Sequence, residues 1–364
     1  MSNAGPTAST RPTGAADVLD GGGLATAHVP MQASEAGDLL RRHFAIEGAL
    51  TPLPTEKDDT FAVAADDGAR YVLKVANPDE PPTEVDFQLS LIDHVAEADP
   101  SLPVPRVCRD VTGGRFAAIT DSAGQGRCAS VLTYLEGTPL DGTVSSAVER
   151  ERIGEVLGRL RLAMAAFSHP ADSRQLAWDV RHAPALRPLL EGVADRARRD
   201  RLTEGMERVV AIHDEVLTLR TQVLHNDFSR SNLIIDHDDP RFVTGIIDFG
   251  DSVRTAIAVD VSTALLNQLP RAVEDPSVDL FADARDVLRG YLSVTELTRQ
   301  ELRLVPHLVM SRVVCRALIT LRRVQLMPGN TAYIMRNTEQ GWGQLDWFLA
   351  RSTGDVSDLL DPPA

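Results

Sequence analysis

The most informative part of this chain reads Val223-Leu224-His225-Asn226-Asp227-Phe228-Ser229-Arg230-Ser231-Asn232-Leu233-Ile234-Ile235 and, after a short gap, Ile246-Ile247-Asp248-Phe249-Gly250-Asp251. Two apolar segments, 233–235 and 242–247, are separated by the turn-forming residues 237–240. This arrangement predicts a β-hairpin. Because the strands of a hairpin are antiparallel, Asn232 before the first strand and Asp248 after the second meet at one open end.

The side chains at this open end have the spacing of a phosphotransferase catalytic loop. Asp227 follows His225 by two residues and Asn232 follows Asp227 by five, as in the kinase pattern His-x-Asp-x-x-x-x-Asn, and Asp248 begins an Asp-Phe-Gly triplet. In phosphoryl transfer, one carboxylate orients the acceptor hydroxyl, while an Asn and a second Asp bind the magnesium ions on the nucleotide phosphates. We therefore predict that Asp227 is catalytic and that Asn232 and Asp248 are metal ligands.

A simpler interpretation of the same residues is structural. Asp and Asn are common in turns because their side chains bond to nearby backbone, so they would also suit the polar ends of a hairpin. We expect His225 to brace the loop. For Asp251, three residues after Asp248, two roles are considered. It contacts the metal or a substrate amine, or it caps a predicted helix that begins near Ser252.

Composition limits the classes of protein to which the chain can belong. Its 364 residues suffice for two lobes with their own cores. No uninterrupted apolar run is long enough to cross a bilayer, and the N-terminal residues lack the apolar segment of a secretory signal. A formal net charge of -15 disfavours nucleic acid and anionic membranes as partners. It agrees with a small cationic substrate, although an acidic surface also serves solubility.

Three widely spaced cysteines, Cys108, Cys128 and Cys315, form no Cys-x-x-Cys pair. They predict reduced thiols, with neither a disulfide framework nor a zinc site. We therefore expect a cytoplasmic protein, whose oligomeric state the sequence does not give.

The predicted secondary structure changes character along the chain. Residues 1–33 are small, polar and aperiodic and predict a disordered tail, whereas residues 34–136 predict an N-lobe of strands with helices near 34–44 and 83–97. Residues 137–364 predict a larger helical C-lobe, with apolar residues at helical spacing over 146–168, 195–219, 252–269, 277–291, 298–326 and 342–349. Strands followed by helices predict an α+β, two-lobed protein-kinase-like fold with an antiparallel sheet and a nucleotide in its cleft.

The two lysines of the chain, Lys57 and Lys74, are conspicuous among many arginines. Lys74 falls near the end of the second strand of a predicted hairpin, where kinases carry the lysine that pairs with the α- and β-phosphates. We predict that Lys74 binds the nucleotide and that its carboxylate partner comes from the following helix. Glu84 is preferred to Glu80 and Asp86 for this role.

Two further segments are expected near the nucleotide. The turn 55–60 occupies the phosphate-loop position but lacks the Gly-x-Gly-x-x-Gly pattern, so it is either a phosphate contact or a structural turn. Tyr134, in the connection 133–136 between the lobes, is predicted to contact the nucleotide. The sequence does not decide between ATP and GTP.

Several sequence segments outside the catalytic loop resemble those of a known family. They are Phe61-Ala-Val, Tyr71-Val-Leu-Lys-Val-Ala-Asn-Pro78, Leu102-Pro-Val-Pro-Arg106, Leu132-Thr-Tyr-Leu-Glu-Gly137, Phe167-Ser-His-Pro170 and Trp178-Asp179. Together they resemble the aminoglycoside phosphotransferase/choline kinase-like superfamily over most of residues 50–350. The closest match is to the hydroxylysine kinase branch, with homoserine kinase as a near neighbour. Relatives commonly have Glu-Arg-Asp-x-Asn-Phe where 56–61 reads Glu-Lys-Asp-Asp-Thr-Phe, and Gly where this chain has Asn226.

The resemblance implies a kinase that uses Mg²⁺ and transfers the γ-phosphate of ATP or GTP to a hydroxyl of a small amine-bearing metabolite such as hydroxylysine. Alternatives are a homoserine, choline, ethanolamine or aminoglycoside acceptor, or a nucleotide-binding regulator without turnover. An ammonium group is bound by carboxylates or aromatic faces, and Trp178 and Asp179 are candidates for these contacts. Trp178 could equally be a residue of the hydrophobic core. A substrate carboxylate would be bound by the planar guanidinium of an arginine, and for this role Arg312 is preferred to Arg316 and Arg322 on the same predicted helix.

Overall fold

The computed structural model describes residues 28–55, 57–326, 335 and 338–360 and begins with a sheet lobe. Its elements are α1 (Ala33–Phe44), β1 (Gly48–Leu53), β2 (Asp59–Ala65), β3 (Arg70–Val75), α2 (Pro82–Ala98), β4 (Val107–Cys108), β5 (Ala117–Thr120) and β6 (Gly126–Thr133). The strands pair antiparallel in the order β1-β2-β3-β6-β4, and β5 also pairs with β6. Because β1 is an edge strand, it can contain Pro52, which has no N–H to donate to a neighbour.

The segment ahead of α1 packs on this sheet. Residues 1–27 of the predicted tail lie outside the described residues, but the remaining part belongs to the folded lobe: His28 Nε2 is 3.1 Å from Asp59 Oδ2, and Met31 is buried. The first helix begins at Ala33, with Gln32 in the N-cap position, one residue before the predicted start.

Strand β3 turns Lys74 away from the core because its side chains alternate. Leu73 and Val75 are fully buried in the core, which turns Lys74 between them to the opposite face. Arg127 of β6 fixes the end of the strand, because its buried guanidinium donates to the carbonyls of Val75 at 3.0 Å and Ala76 at 2.7 Å. The lysine therefore extends from a rigid element.

Helices dominate the chain from Leu140 onward and form the helical lobe. They are α3 (Ala147–Met164), α4 (Arg196–Leu217), α5 (Ile257–Leu266), α6 (Ala282–Val294), α7 (Arg299–Leu326), α8 (Glu339–Leu349) and α9 (Thr353–Ser357). Helix α3 starts with a capping box of Ser146 and Glu149, at the predicted position. Helix α7 is long and apolar enough to span a membrane by length and composition, but 89% of its apolar window is buried inside the protein. We interpret it as the central helix of this lobe's core.

The hairpin of the catalytic loop is confirmed. Strands β9 (Leu233–Ile235) and β10 (Val243–Ile246) pair antiparallel with Ile246 opposite Leu233, and β7 (Thr138–Pro139) adds a third strand. The Ile247 N–H donates to the Asn232 carbonyl at 3.0 Å, so the residues before β9 and after β10 are adjacent.

Two predicted helices are shorter than the sequence suggested. The segment 252–269 opens with strand β11 (Val253–Ala256), which pairs with β8 (Thr221–Leu224), and the helix begins only at Ile257. Alternating Val253 and Thr255 suit a strand because β-branched side chains pack well on a pleated surface. The helix predicted from residue 277 begins at Ala282. Cys108, Cys128 and Cys315 are free thiols, as predicted.

Candidate active site

The catalytic loop holds Asp227 and Asn232 against each other. Asn232 ends a 3-10 turn (Arg230–Asn232) directly before β9, and its amide nitrogen donates to the Asp227 carboxylate at 2.8 Å and to the Asp227 carbonyl at 3.0 Å. These bonds orient the amide so that its oxygen is the atom that can bind a cation. The structure thus brings together the predicted catalytic residue and the first predicted metal ligand.

His225 braces the loop from inside the protein. Its side chain is fully buried, its ring centroid lies 4.8 Å from that of Phe249, and its Nε2 is 3.1 Å from the Ile247 carbonyl oxygen. Burial lowers the pKa of His225 to about 4, so the ring is neutral at physiological pH. A carbonyl oxygen only accepts hydrogen bonds, so Nε2 carries the hydrogen and ties the loop before Asp227 to the segment before Asp248.

Asp248 has a left-handed backbone conformation, with φ 60° and ψ 74°. This region is uncommon for residues other than glycine, and Asp tolerates it because its short side chain can bond locally. Here Oδ1 accepts from the Gly250 N–H at 3.2 Å. The turn leaves Asp248 exposed at the open end of the hairpin, beside Asn232.

Three carboxylates repel one another at this end of the hairpin. Burial, and then the charges of Asp251 and Asp248, raise the pKa of Asp227 above its ordinary value, while Arg312 and the Asn232 hydrogen bond oppose the shift. Burial and the charge of Asp248 likewise raise the pKa of Asp251. Carboxylates that destabilise each other in this way form a place that a cation would stabilise.

The donor set at the hairpin end fits magnesium. The Asp248 carboxylate and the Asn232 amide oxygen are hard oxygen ligands, and Mg²⁺ is typically held by one or two carboxylates together with waters and substrate phosphates. The assignment of both residues as ligands stays a prediction. Asp251 closes a 3-10 turn (Phe249–Asp251) and is followed by β11, so its interpretation as a helix cap is wrong. A contact of Asp251 with metal or with a substrate amine remains open.

Arg312 of α7 lies close to the carboxylate of Asp227, the predicted catalytic residue. Its Nη2 is 3.8 Å from Asp227 Oδ1 and 3.3 Å from the Asn226 carbonyl oxygen, and its Nη1 donates to the Trp178 carbonyl. The guanidinium carbon also lies 5.6 Å from the centroid of the Trp178 ring, which is partly buried against the core. Arg312 is therefore engaged in holding the loop. Substrate contacts of Arg312 and Trp178 stay predictions.

The predicted substrate contact at Asp179 is wrong. Its side chain is fully buried and accepts hydrogen bonds from the Arg181 guanidinium at 2.8 and 3.0 Å and from Thr255 Oγ1 at 2.9 Å. It also accepts from the Arg181 N–H at 3.0 Å and so caps the 3-10 helix Val180–Gly192. A carboxylate without exposed surface and with these donors already bound stabilises the fold and has no access to a substrate.

Asp260 is a residue of the site that the sequence analysis missed. It lies on α5, is buried, and accepts the Asn226 N–H at 2.7 Å, where Asn226 has a positive φ of 61°. Burial raises the pKa of Asp260 to about 6. The signal was a single carboxylate inside the apolar run Ile257–Leu266, because a buried charge needs a specific partner.

On the sheet side of the site, Lys74 pairs with Asp58. Lys74 Nζ lies 3.0 Å from Asp58 Oδ2, and Asp58 Oδ1 accepts the Asn77 N–H at 2.9 Å. Burial lowers the pKa of Lys74, but the charges of Asp58 and then Asp248 outweigh it and raise the pKa above its ordinary value. The lysine is therefore fully charged. The effect of Asp248 on this pKa indicates that Lys74 lies near the open end of the β9–β10 hairpin.

Glu84 was wrongly predicted as the partner of Lys74. Its carboxylate lies 2.6 Å from Nη1 of Arg174, a buried side chain of the helical lobe. Arg174 also donates to the carbonyls of Gly250 and, at 2.9 Å, Ser252. The first turn of α2 therefore points Glu84 at the segment after Asp248, and the pair joins the two lobes.

The turn before β2 carries the second lysine. Glu56 lies outside the described residues, but Lys57 Nζ is 2.5 Å from Glu80 Oε2, and its charge also lowers the pKa of Asp58 and opposes the rise in that of Asp251. Each lysine of the chain is thus paired with a carboxylate of the sheet lobe, and each also interacts electrostatically with a carboxylate at the hairpin end, Lys74 with Asp248 and Lys57 with Asp251. A phosphate contact by this turn stays a prediction.

Tyr134 lies in the connection that follows β6. Its N–H donates to the Arg70 carbonyl at 3.0 Å, and the Arg70 guanidinium carbon covers its ring at 3.7 Å from the centroid. The amide and one face of the ring are therefore engaged within the protein. A nucleotide contact by Tyr134 stays a prediction.

Fold and site together define a class of enzyme. An antiparallel sheet with a charged lysine faces a helical lobe whose hairpin carries Asp227, Asn232 and Asp248, which is the arrangement of a two-lobed kinase acting on hydroxyl acceptors. The chain belongs to the phosphotransferase enzyme family (APH), whose model matches residues 49–304. It is a small-molecule kinase, a phosphotransferase with an alcohol group as acceptor.

The similar proteins include kinases of hydroxylated amino acids. The hydroxylysine kinase of Danio rerio is 24% identical over 336 residues, which cover 87% of this chain and 92% of that protein. The homoserine kinase of Rhodospirillum rubrum is 26% identical over 262 residues, which cover 69% and 73%.

Solved structures confirm the fold. A microcompartment-associated aminopropanol kinase has a TM-score of 0.70 at 20% identity and covers 90% of this chain and 100% of its own. An amicoumacin kinase in complex with AMP-PNP, Ca²⁺ and Ami has a TM-score of 0.66 at 16% identity and covers 88% and 98%. The predicted α+β, kinase-like architecture is therefore correct.

Proposed function

We propose that the enzyme transfers the γ-phosphate of ATP or GTP to a hydroxyl of a small amine-bearing metabolite, with hydroxylysine as the first candidate. The observation that carries this proposal is a second carboxylate near Asp227: Asp251 ends the turn that follows Asp248, and after burial its charge is the largest cause of the raised pKa of Asp227. A second carboxylate beside the acceptor hydroxyl suits an ammonium group on the same molecule. The similarity to hydroxylysine kinase along 87% of the chain supports the same acceptor class.

In this proposal Asp227 accepts the hydrogen bond, and then the proton, of the acceptor hydroxyl. Burial, and then the neighbouring carboxylates, raise the pKa of Asp227, which makes it a better proton acceptor near neutral pH. The acceptor oxygen forms a bond to the γ-phosphorus while the bond from that phosphorus to the bridging oxygen breaks, and the nucleoside diphosphate leaves. Arg312 keeps Asp227 in place, and Lys74 neutralises charge on the phosphates.

Magnesium held by Asn232 and Asp248 would supply the positive charge that stabilises the phosphates during transfer. The amide of Asn232 is already oriented by Asp227, so the metal ligand and the catalytic residue are positioned together. The free cysteines favour a cytoplasmic location, which is part of this proposal.

The test is nucleotide consumption in the presence of Mg²⁺, with ATP and GTP in parallel, against hydroxylysine, homoserine, ethanolamine, choline and kanamycin. The proposal expects turnover that depends on an amine-bearing metabolite and is highest with hydroxylysine. Turnover with kanamycin alone would assign an antibiotic acceptor. No turnover with any acceptor, while Mg·nucleotide still binds, would favour a nucleotide-binding regulator.

A further inference from the structure

Arg316 is a cation of the helical lobe that has no carboxylate partner among the residues that the structure describes. It lies on α7 one turn after Arg312, and its Nη2 donates to the neutral Gln344 Oε1 at 3.2 Å. Its Nε is buried without an acceptor, and within the described ranges no carboxylate oxygen lies within 4.0 Å of its guanidinium. A buried guanidinium in this state needs an anion.

The surroundings of Arg316 support this interpretation. Burial, and then the neighbouring charge of Arg312, lower the pKa of Arg316 to about 10. Helix α8 contacts the guanidinium at Gly341, where a side chain would crowd it, because a Cβ at this position would lie 3.2 Å from Arg316 Nη2. Nε of Arg316 is buried, but the residue as a whole is only half-buried, so a small ligand can reach the rest of the side chain.

The position of Arg316 relative to Asp227 suggests which anion it binds. Residues four apart on a helix lie on the same face, separated by about 6 Å along the axis. Arg312 reaches the catalytic carboxylate, so Arg316 lies about one helical turn from the place where the acceptor hydroxyl must bind. That separation suits an acceptor in which a few carbon atoms lie between the hydroxyl and an acidic group.

We propose that Arg316 binds the α-carboxylate of the acceptor and thereby selects hydroxy amino acids over amino alcohols. The sequence favoured Arg312 for this role, but Arg312 is bound to the carbonyls of Trp178 and Asn226. Arg316 has free donors, and its planar fork matches a carboxylate. This inference rests on the proposed function, because it assigns a second contact to the same acceptor.

The experiment compares acceptor pairs that differ only in the carboxylate: hydroxylysine with its decarboxylated diamine, and homoserine with aminopropanol. In the wild-type enzyme, kcat/KM is expected to be at least about 30-fold higher for the acid of each pair. Arg316→Gln should lower kcat/KM for the acid by about 30- to 100-fold and change it for the decarboxylated partner by less than about 3-fold. Arg316→Lys should recover part of the loss, because it keeps the charge without the fork.

Arg322→Gln is the matched control, since Arg322 is an exposed arginine of the same helix, and it should change neither acceptor. Equal losses for both members of a pair, or no loss in Arg316→Gln, would overturn the assignment of Arg316. If Arg316→Gln does not fold, the wild-type enzyme and Arg316→Lys still test the proposal. Equal kcat/KM for the acid and for its decarboxylated partner would contradict a carboxylate site. A wild-type enzyme that phosphorylates no member of either pair would refute the proposed function itself.

Discussion

The two sides of the active site balance their charges differently. On the sheet side each lysine already has a carboxylate partner, Lys74 with Asp58 and Lys57 with Glu80. On the helical side, burial and then the repulsion between carboxylates raise the pKa values of Asp227 and Asp251. The sheet side is therefore organised before the nucleotide binds, whereas the helical side has an excess of negative charge that a cation would neutralise. We therefore predict that magnesium contributes most to nucleotide binding on the helical side.

The largest effect is expected from Asp227→Asn, which removes the proton acceptor without changing shape. Turnover should fall by about 10³-fold, because a positioned general base contributes on the order of 10²- to 10⁴-fold. Nucleotide affinity should stay within a factor of about 3, since the Lys74–Asp58 pair on the sheet side is intact. Steady-state kinetics and calorimetric titration with Mg·ADP measure the two quantities. Asp238→Asn, at an exposed residue of the hairpin turn, is the control, and unchanged turnover in Asp227→Asn would remove Asp227 from the mechanism.

Asp248→Asn tests whether the helical side needs a cation. The substitution keeps a residue type that tolerates the positive φ but removes the charge of the predicted metal ligand. Affinity for Mg·ATP should fall about 100-fold, whereas metal-free ADP should bind as well as to the wild type or slightly better, because one repelling carboxylate is gone. Titrations with and without Mg²⁺ measure both. A variant that retains wild-type Mg·ATP affinity would show that the metal lies elsewhere.

A smaller effect, on KM for the nucleotide, is expected from substitutions of Asp58 and Glu84, the observed and the predicted partner of Lys74. Asp58→Asn should raise KM for the nucleotide by about 10-fold, because Lys74 loses the ion pair that orients it. Glu84→Gln should leave that KM within about 2-fold, since Glu84 pairs with Arg174. Kinetics with ATP varied at saturating acceptor give both values. The reverse ranking would mean that Lys74 exchanges Asp58 for Glu84 in the working enzyme.

The smallest effect on catalysis is expected from Asp179→Asn. Its buried carboxylate binds Arg181 and Thr255, so the change should lower the free energy of unfolding by about 1–3 kcal/mol. KM for the acceptor should not change at temperatures at which the variant is folded. Denaturant unfolding together with acceptor kinetics provides the comparison, and a raised KM in a fully folded variant would restore the predicted substrate contact.

The sequence predicted the helical side of the site better than the sheet side. Asp227, Asn232 and Asp248 lie on one hairpin, whose alternation and turn residues fix their relative positions locally. The partner of Lys74 depends instead on how α2 packs against both lobes, which no local pattern encodes. A signal was nevertheless present: Thr60 lies opposite Lys74 in the β2–β3 register, and Asp58 is two residues from Thr60 on the same face.

Buried polar residues account for the remaining differences between the predicted site and the one in the structure. Asp179 next to Trp178 resembled an amine site, but its hydrogen bonds to Arg181 and Thr255 depend on tertiary packing. Asp260, which holds the catalytic loop through the Asn226 N–H, comes from a helix that follows the loop in sequence and packs against it only in the folded protein. Periodicity predicts which residues are buried, but it does not predict which buried polar groups bond to each other.

The central claim is that Asp227 and its neighbouring carboxylates direct a phosphoryl group to a hydroxyl of an amine-bearing acceptor. The most direct measurement is phosphorus NMR of the product formed from ATP, Mg²⁺ and hydroxylysine by the wild-type enzyme. The account predicts one new phosphate monoester resonance, coupled to the proton on the hydroxyl-bearing carbon and formed in step with ADP. Release of inorganic phosphate alone, or a phosphoramidate on the amine, would contradict it.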